Sequence, residues 1–219
     1  MILEIFGLLG VIFSALMILV PSYRRPAGKK EGIPILLAYG YLNHIGVWVM
    51  QRKRLSQMGL GPIYTVPLAS PFSSIEKHAE KIFDEIERRG FHKVILVGYS
   101  MGGLACAHYM TKHPEKVAKV IAISSPFQGT LMAWVAPGKN GAEMRPGSPF
   151  LRKLVPHLKN APLYFIESEC DEIVQPNASK VFDIPQGHLF LIRNLGHAGL
   201  IFSKRVSDRI AHWIKNLSQ

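Results

Sequence analysis

Cysteine is nearly absent: Cys106 and Cys170 are the two in 219 residues, too few for the disulfide framework that staples small secreted domains. Cys106 falls in a helical pattern and Cys170 beside a strand end, so both read as buried free thiols. The His and Cys spacings that bind zinc or an iron cluster are missing too, and neither a metal nor an organic cofactor is implied. Acidic residues are scarce, 15 against 26 lysines and arginines, which gives a formal net charge of +11. Such a balance calls for a nucleic acid or an anionic membrane surface as partner. No nucleic-acid motif accompanies the charge, which favours the membrane. No internal repeat is present, and 48% hydrophobic with 19% charged residues suits one globular domain with a sizeable core.

Charge is also missing from Met1–Val20 (MILEIFGLLGVIFSALMILV), where Glu4 stands alone. As a helix this run spans roughly 30 Å at about 1.5 Å per residue, enough to cross a bilayer. Pro21 ends it, and Arg24, Arg25, Lys29 and Lys30 follow. A secretory signal carries its positive charge before the apolar core and small residues at the cut. Here the charge comes after and no A-x-A stands at the boundary, so the segment reads as an uncleaved single-pass anchor. The cationic flank then puts the remaining chain on the cytoplasmic side. Arg52, Lys53 and Arg54 join this cluster, placed to pair with anionic head groups; a solvated basic face is the alternative. The expected organisation is an anchor over residues 1–20, a basic linker rich in proline and glycine over 21–32, and a globular domain over 33–219.

Within that domain Ile33–Gly40 is a continuous apolar run, as in a strand buried on both faces. Val47, Met50, Leu55 and Met58 repeat at helical spacing between about His44 and Met58, and Ile63–Pro67 forms a second strand. Ser73-Ser74-Ile75-Glu76 is a capping-box pattern that opens a helix with Ile75, Ala79, Ile82, Phe83 and Ile86 on one face, stopped by Gly90. Further strands are expected over His92–Tyr99, Val117–Ser124, Pro162–Glu167 and Gly187–Asn194, with a helix from Met101 to about His113. An irregular stretch runs to about Asn160, and Leu200–Leu217 is an amphipathic helix. Six strands alternating with helices predict the α/β class: a mostly parallel sheet covered on both faces. Chemistry in such sheets lies at the C-terminal strand ends.

One strand end carries a motif. Val94-Ile95-Leu96-Val97 runs into Gly98-Tyr99-Ser100-Met101-Gly102, a G-x-S-x-G turn followed by a helical pattern. Strand, sharp turn and helix together lift a serine Oγ above the sheet edge, and Gly98 and Gly102 leave the room that a Cβ would occupy. A serine hydroxyl is a poor nucleophile until a histidine takes its proton and a carboxylate holds that histidine.

The order serine, acid, histidine leaves His188, His197 and His212 as bases. His188 starts its strand, at the wrong edge, and His212 lies inside the final helix. His197, between Gly196 and Gly199 just past a strand end, is the candidate. Asp171 follows the 162–167 strand directly and is the candidate acid; Glu169 or Glu172 serves only if the loop is displaced by a residue or two. Two N–H donors are needed for the oxyanion. Met101 N–H follows the nucleophile, and Gly40-Tyr41 after the first strand allows the close approach assigned to Tyr41 N–H.

With these residues in place the chain resembles the bacterial α/β-hydrolase lipases, including small ones with a short lid and related lipid deacylases. The resemblance runs from about Pro34 to Leu217, through Leu37-Ala38-Tyr39-Gly40-Tyr41, the serine motif, Ser125-Pro126-Phe127-Gln128-Gly129-Thr130, Arg145-Pro146-Gly147-Ser148-Pro149-Phe150-Leu151, Asp171-Glu172-Ile173-Val174 and Gly196-His197. It implies the α/β-hydrolase fold, Ser100, Asp171 and His197 as triad, and Tyr41 and Met101 as oxyanion donors. Tyr39 and Phe127 stand where the family usually has histidine, which bears on pocket polarity and not on the triad.

The implied activity is hydrolysis of carboxylic esters of lipids through an acyl-enzyme, with lipid or another acyl ester as substrate. Phe127, Leu131, Trp134 and Phe150 are expected to wall an acyl pocket or form a small lid. The alternatives are a thioesterase, amidase or phospholipase on the same triad, or a silent membrane-bound scaffold; oligomeric state is not legible.

Overall fold

The computed structural model describes residues 25–175 and 182–216. The expected anchor, residues 1–20, lies outside them. Among the described residues no helix is long and apolar enough to cross a membrane.

In chain order the elements are β1 (Ile35–Ala38), a 3-10 turn (Ile45–Trp48) leading into α1 (Val49–Gln57), β2 (Ile63–Thr65), α2 (Ile75–Arg89), β3 (Val94–Tyr99), α3 (Met101–Lys112) and β4 (Val117–Ile123). They continue with α4 (Lys139–Glu143), α5 (Pro149–Leu154), β5 (Leu163–Ser168), β6 (Leu189–Ile192), α6 (His197–Phe202) and α7 (Lys204–Lys215). Among the described residues the six strands form one parallel sheet in the order β2-β1-β3-β4-β5-β6.

The unbroken apolar strands are explained by two cores, one on each face, because successive side chains point to opposite sides of a sheet. Leu36, Leu96, Val120 and Phe165 meet Ile82 and Ile86 of α2, Leu104 of α3 and Leu154 of α5. Their neighbours Ile35, Leu37, Ile95, Val97 and Ile121 meet Leu55 of α1 and Val206, Ile210 and Trp213 of α7. Within the expected basic linker, Ala27 makes an antiparallel bridge to Ile63, with N···O distances of 3.0 and 2.9 Å. That contact covers the edge strand β2, which would otherwise offer unpaired backbone groups.

Three local readings are corrected. The α2 cap is Ser74, which accepts from Lys77 N–H, and the carboxylate at this helix end is Glu143, accepting from Ile75 N–H at 2.6 Å, in place of the Ser73 and Glu76 box. The stretch after β4 contains α4 and α5; Ser148 caps α5 with Pro149 at its first position, a start signal present in the sequence. The final helix is two, broken at Ser203. Gln51 Nε2 donates to the Ile201 and Ser203 carbonyls at 2.9 and 3.1 Å, and Arg54 Nη1 to Phe202 O at 2.6 Å. α1 thus satisfies the Ile201 and Phe202 carbonyls, which a continuous helix would have used itself, while Ser203 O also accepts from Ser207 N–H of α7 at 3.3 Å. Of the two thiols Cys106 is buried, whereas Cys170 is exposed.

Candidate functional site

Ser100 stands between β3 and α3 with φ 54° and ψ −125°, a backbone state costly for a residue with a side chain. The surroundings hold it there. Ser100 N donates to Ile123 O at 2.8 Å. A Cβ on Gly98 would stand 2.4 Å from Gly103 Cα, and one on Gly102 2.3 Å from Ala38 O, so only glycine lets helix, turn and neighbouring strand close up. As the first residue of α3, Met101 carries an N–H that the helix cannot satisfy. The Gly40-Tyr41 turn passes close by, since a Cβ on Gly40 would lie 3.0 Å from Ser100 Cβ.

Asp171 follows β5 and has a fully buried side chain. Its Oδ1 accepts the N–H groups of Ile173 and Val174 at 2.9 and 2.7 Å, and its Oδ2 accepts from Ser124 Oγ. The same Oδ2 lies 2.8 Å from His197 Nδ1. His197 begins α6, where the sequence suggested a loop, and Tyr99 donates its hydroxyl to the His197 carbonyl at 3.1 Å while its ring centroid sits 5.0 Å from the imidazole. The loops bearing Asp171 and His197 are tied together, because Ser168 Oγ donates to Leu195 O and accepts from Cys170 N–H at 3.2 Å. The other candidate acids have different work. Glu172 accepts the backbone N–H of His197 at 3.1 Å, and Glu169 pairs with Arg193 at 3.3 Å.

Ser100 and His197 line one cleft of about 340 Å³, with Tyr41, Leu42, Met132, Ala136, Met144, Ile173 and Val174 among its other walls. Ligand clefts begin near this size. The Tyr41 hydroxyl donates to Pro137 O at 2.8 Å and so bridges two sides of the mouth, and burial pushes its phenol above the ordinary range. Beneath Met101 lies a buried polar group: Asn140 Nδ2 donates to Pro71 O at 2.7 Å and lies 3.2 Å from Met101 Sδ and 3.3 Å from His78 Nε2. Burial brings His78 down to about 4, so it is neutral at pH 7. Among the described residues no three His, Cys, Asp or Glu are grouped to hold a metal.

None of the four residues expected to wall an acyl pocket or form a small lid is among the walls of this cleft. Phe127 is 1% exposed and packs edge-on against Phe165 and Phe182 in the core. Leu131 and Trp134, 75% and 59% exposed, lie on the outer side of the 3-10 turn whose inward residue is Ala133. Phe150 packs beside His108, ring centroids 5.5 Å apart, away from the cleft. Composition marked this segment as apolar without saying which residues of a short turn face inward. Ile173 and Val174 were within reach, since residues whose N–H groups hold the acid stand beside the site.

A family model for the alpha/beta hydrolase fold matches residues 64–148. The chain is 30% identical over 98 residues to a pimeloyl-[acyl-carrier protein] methyl ester esterase of Vibrio campbellii, covering 43% of this chain and 38% of that protein. It is 26% identical over 106 residues to a mouse (lyso)-N-acylphosphatidylethanolamine lipase, covering 43% of this chain and 31% of that one. These matches thus span roughly a third of the relatives' own length. Among solved structures, naproxen esterase from Bacillus subtilis superposes with a TM-score of 0.63 at 16% identity, over 86% of this chain and 85% of that one. By its sheet, its serine turn and these matches, the chain has the α/β-hydrolase fold and resembles the esterases and lipases built on it.

Proposed function

We propose that the protein is a serine hydrolase that cleaves carboxylic esters of lipids. The supporting observation is the buried Asp171 held 2.8 Å from His197 Nδ1, with His197 and the strained Ser100 on the walls of one cleft. In this reading His197 takes the Ser100 proton through Nε2 as Oγ attacks the acyl carbonyl, and Asp171 fixes the tautomer and stabilises the imidazolium. Met101 N–H and Tyr41 N–H receive the oxyanion. The imidazolium then protonates the leaving alcohol, and water, activated by His197, releases the acid and restores Ser100. The apolar walls, Met132, Met144, Ile173 and Val174 among them, suit an acyl chain.

The test is a fluorophosphonate probe beside a chain-length series of p-nitrophenyl esters, emulsified triacylglycerol and phospholipid. Labelling of the wild type that is lost in Ser100→Ala is expected; no labelling, or labelling that survives the substitution, rejects the reading. Residues 1–20 serve as a membrane anchor in this proposal, with the domain on the cytoplasmic side. A chain starting at Arg25 keeps the Ala27 bridge, and its partition into liposomes equal to that of the full chain would reject the anchor.

A further inference from the structure

Five non-glycine residues have positive φ among those described: Leu42, Ser100, Ser124, Asn160 and Asn194. Asparagine visits this region readily, the others do not. Leu42 and Ser100 line the cleft, and Ser124 touches the acid. Ser124 directly follows β4 with φ 47° and is 1% exposed, its N–H held by Ile166 O at 2.8 Å. Glycine would adopt that backbone without strain. What serine has and glycine lacks is the hydroxyl, and that hydroxyl donates to Asp171 Oδ2, the oxygen that also meets His197 Nδ1.

We propose that Ser124 is a positioning residue for the Asp171 carboxylate, fixing the oxygen that faces His197 and setting how strongly that oxygen holds the imidazolium. The inference rests on the triad reading above. Oδ1 is held by two backbone N–H groups, which no side-chain change removes. Oδ2 is held by a side chain, so deleting the hydroxyl frees the carboxylate to turn about its Oδ1 anchor and lets the imidazole drift with it. It also takes one donor off the charge. A less compensated Oδ2 attracts the imidazolium more strongly, and the acid limb of the rate reports that change.

The experiment compares Ser124→Ala and Ser124→Gly with wild type in kcat, KM, melting temperature and the acid limb of kcat/KM on p-nitrophenyl butyrate. Both variants should lose roughly 10- to 100-fold in kcat, the worth of a hydrogen bond to a charged group, with KM within about threefold. Their acid limb should move to higher pH by about half a unit, and Ser124→Gly should melt above Ser124→Ala because its backbone strain is relieved. Wild-type kcat with an unmoved limb, or activity that merely follows melting temperature, overturns the inference while fluorophosphonate labelling of Ser100 leaves the triad standing. An unlabelled wild type overturns both.

Discussion

Glu172 and His197 are joined through the backbone: the Glu172 carboxylate accepts the His197 N–H at 3.1 Å while the His197 ring turns to Asp171 at 2.8 Å. Two adjacent acids thus serve one histidine differently, and substitution separates them. Asp171→Asn keeps the shape but removes the charge that fixes the tautomer, so kcat on p-nitrophenyl butyrate should fall roughly 10³- to 10⁴-fold. Glu172→Gln keeps an acceptor for the N–H and should cost less than about tenfold. Steady-state kinetics on both variants checks this, and the opposite ranking would move the acid to Glu172.

His78 gives a prediction on stability. Burial lowers it from the ordinary 6.5 to about 4, so the unfolded chain binds a proton in that window that the folded one refuses. Nothing is lost above 6.5; destabilisation grows as the pH falls through 6.5 toward 4, on the order of 3 kcal/mol. His108 and His188 are also lowered, mainly by burial, and add to the slope. The difference between wild type and His78→Gln isolates one residue. Melting curves should converge by roughly 6–12 °C from neutral to acid pH, and parallel curves would show that His78 does not set the acid limit.

The serine turn makes a demand on packing. An alanine at 102 would put its Cβ 2.3 Å from Ala38 O, a backbone atom of the neighbouring strand. No rotamer relieves this. Gly102→Ala should lower stability by more than about 3 kcal/mol or separate α3 from β1, with loss of fluorophosphonate labelling. Gly147→Ala is the control for backbone strain alone, since it has φ 70° and open space around it. Its cost should stay near 1 kcal/mol with labelling intact, as thermal denaturation and in-gel fluorescence would report.

The sheet was legible because its strands are buried on both faces, and a run such as Ile35–Ala38 has few other ways to fold. Ser100, Asp171 and His197 could be singled out for a related reason: each follows a strand at one edge of the sheet, where candidate groups gather. Contacts between elements distant in sequence were not legible. Nothing in Ser73-Ser74-Ile75-Glu76 announces that the carboxylate at its N–H groups comes from Glu143. Nor does the amphipathic pattern after Leu200 show that Gln51 and Arg54 take the carbonyls that permit a break at Ser203. The walls of the cleft beside Ser100 were not legible for want of an orientation signal. Over Leu131–Trp134 a 3-10 turn of four residues gives no period long enough to tell Ala133, facing in, from Trp134, facing Arg145 at 4.8 Å.

That orientation has a kinetic signature. Ala136 is half-buried on the cleft wall, so Ala136→Phe fills part of the space proposed for the acyl chain at little cost to the core. Catalytic efficiency on octanoate and longer p-nitrophenyl esters should fall about tenfold or more, with acetate changed less than about threefold, because each excluded methylene forfeits its burial. Leu131→Ala and Trp134→Ala remove side chains that face solvent, and on soluble esters they should stay within about twofold of wild type at every chain length. If the two outer variants change the chain-length profile and Ala136→Phe does not, the acyl chain runs over the outside of the 131–134 turn, and the cleft beside Ser100 is not its binding site.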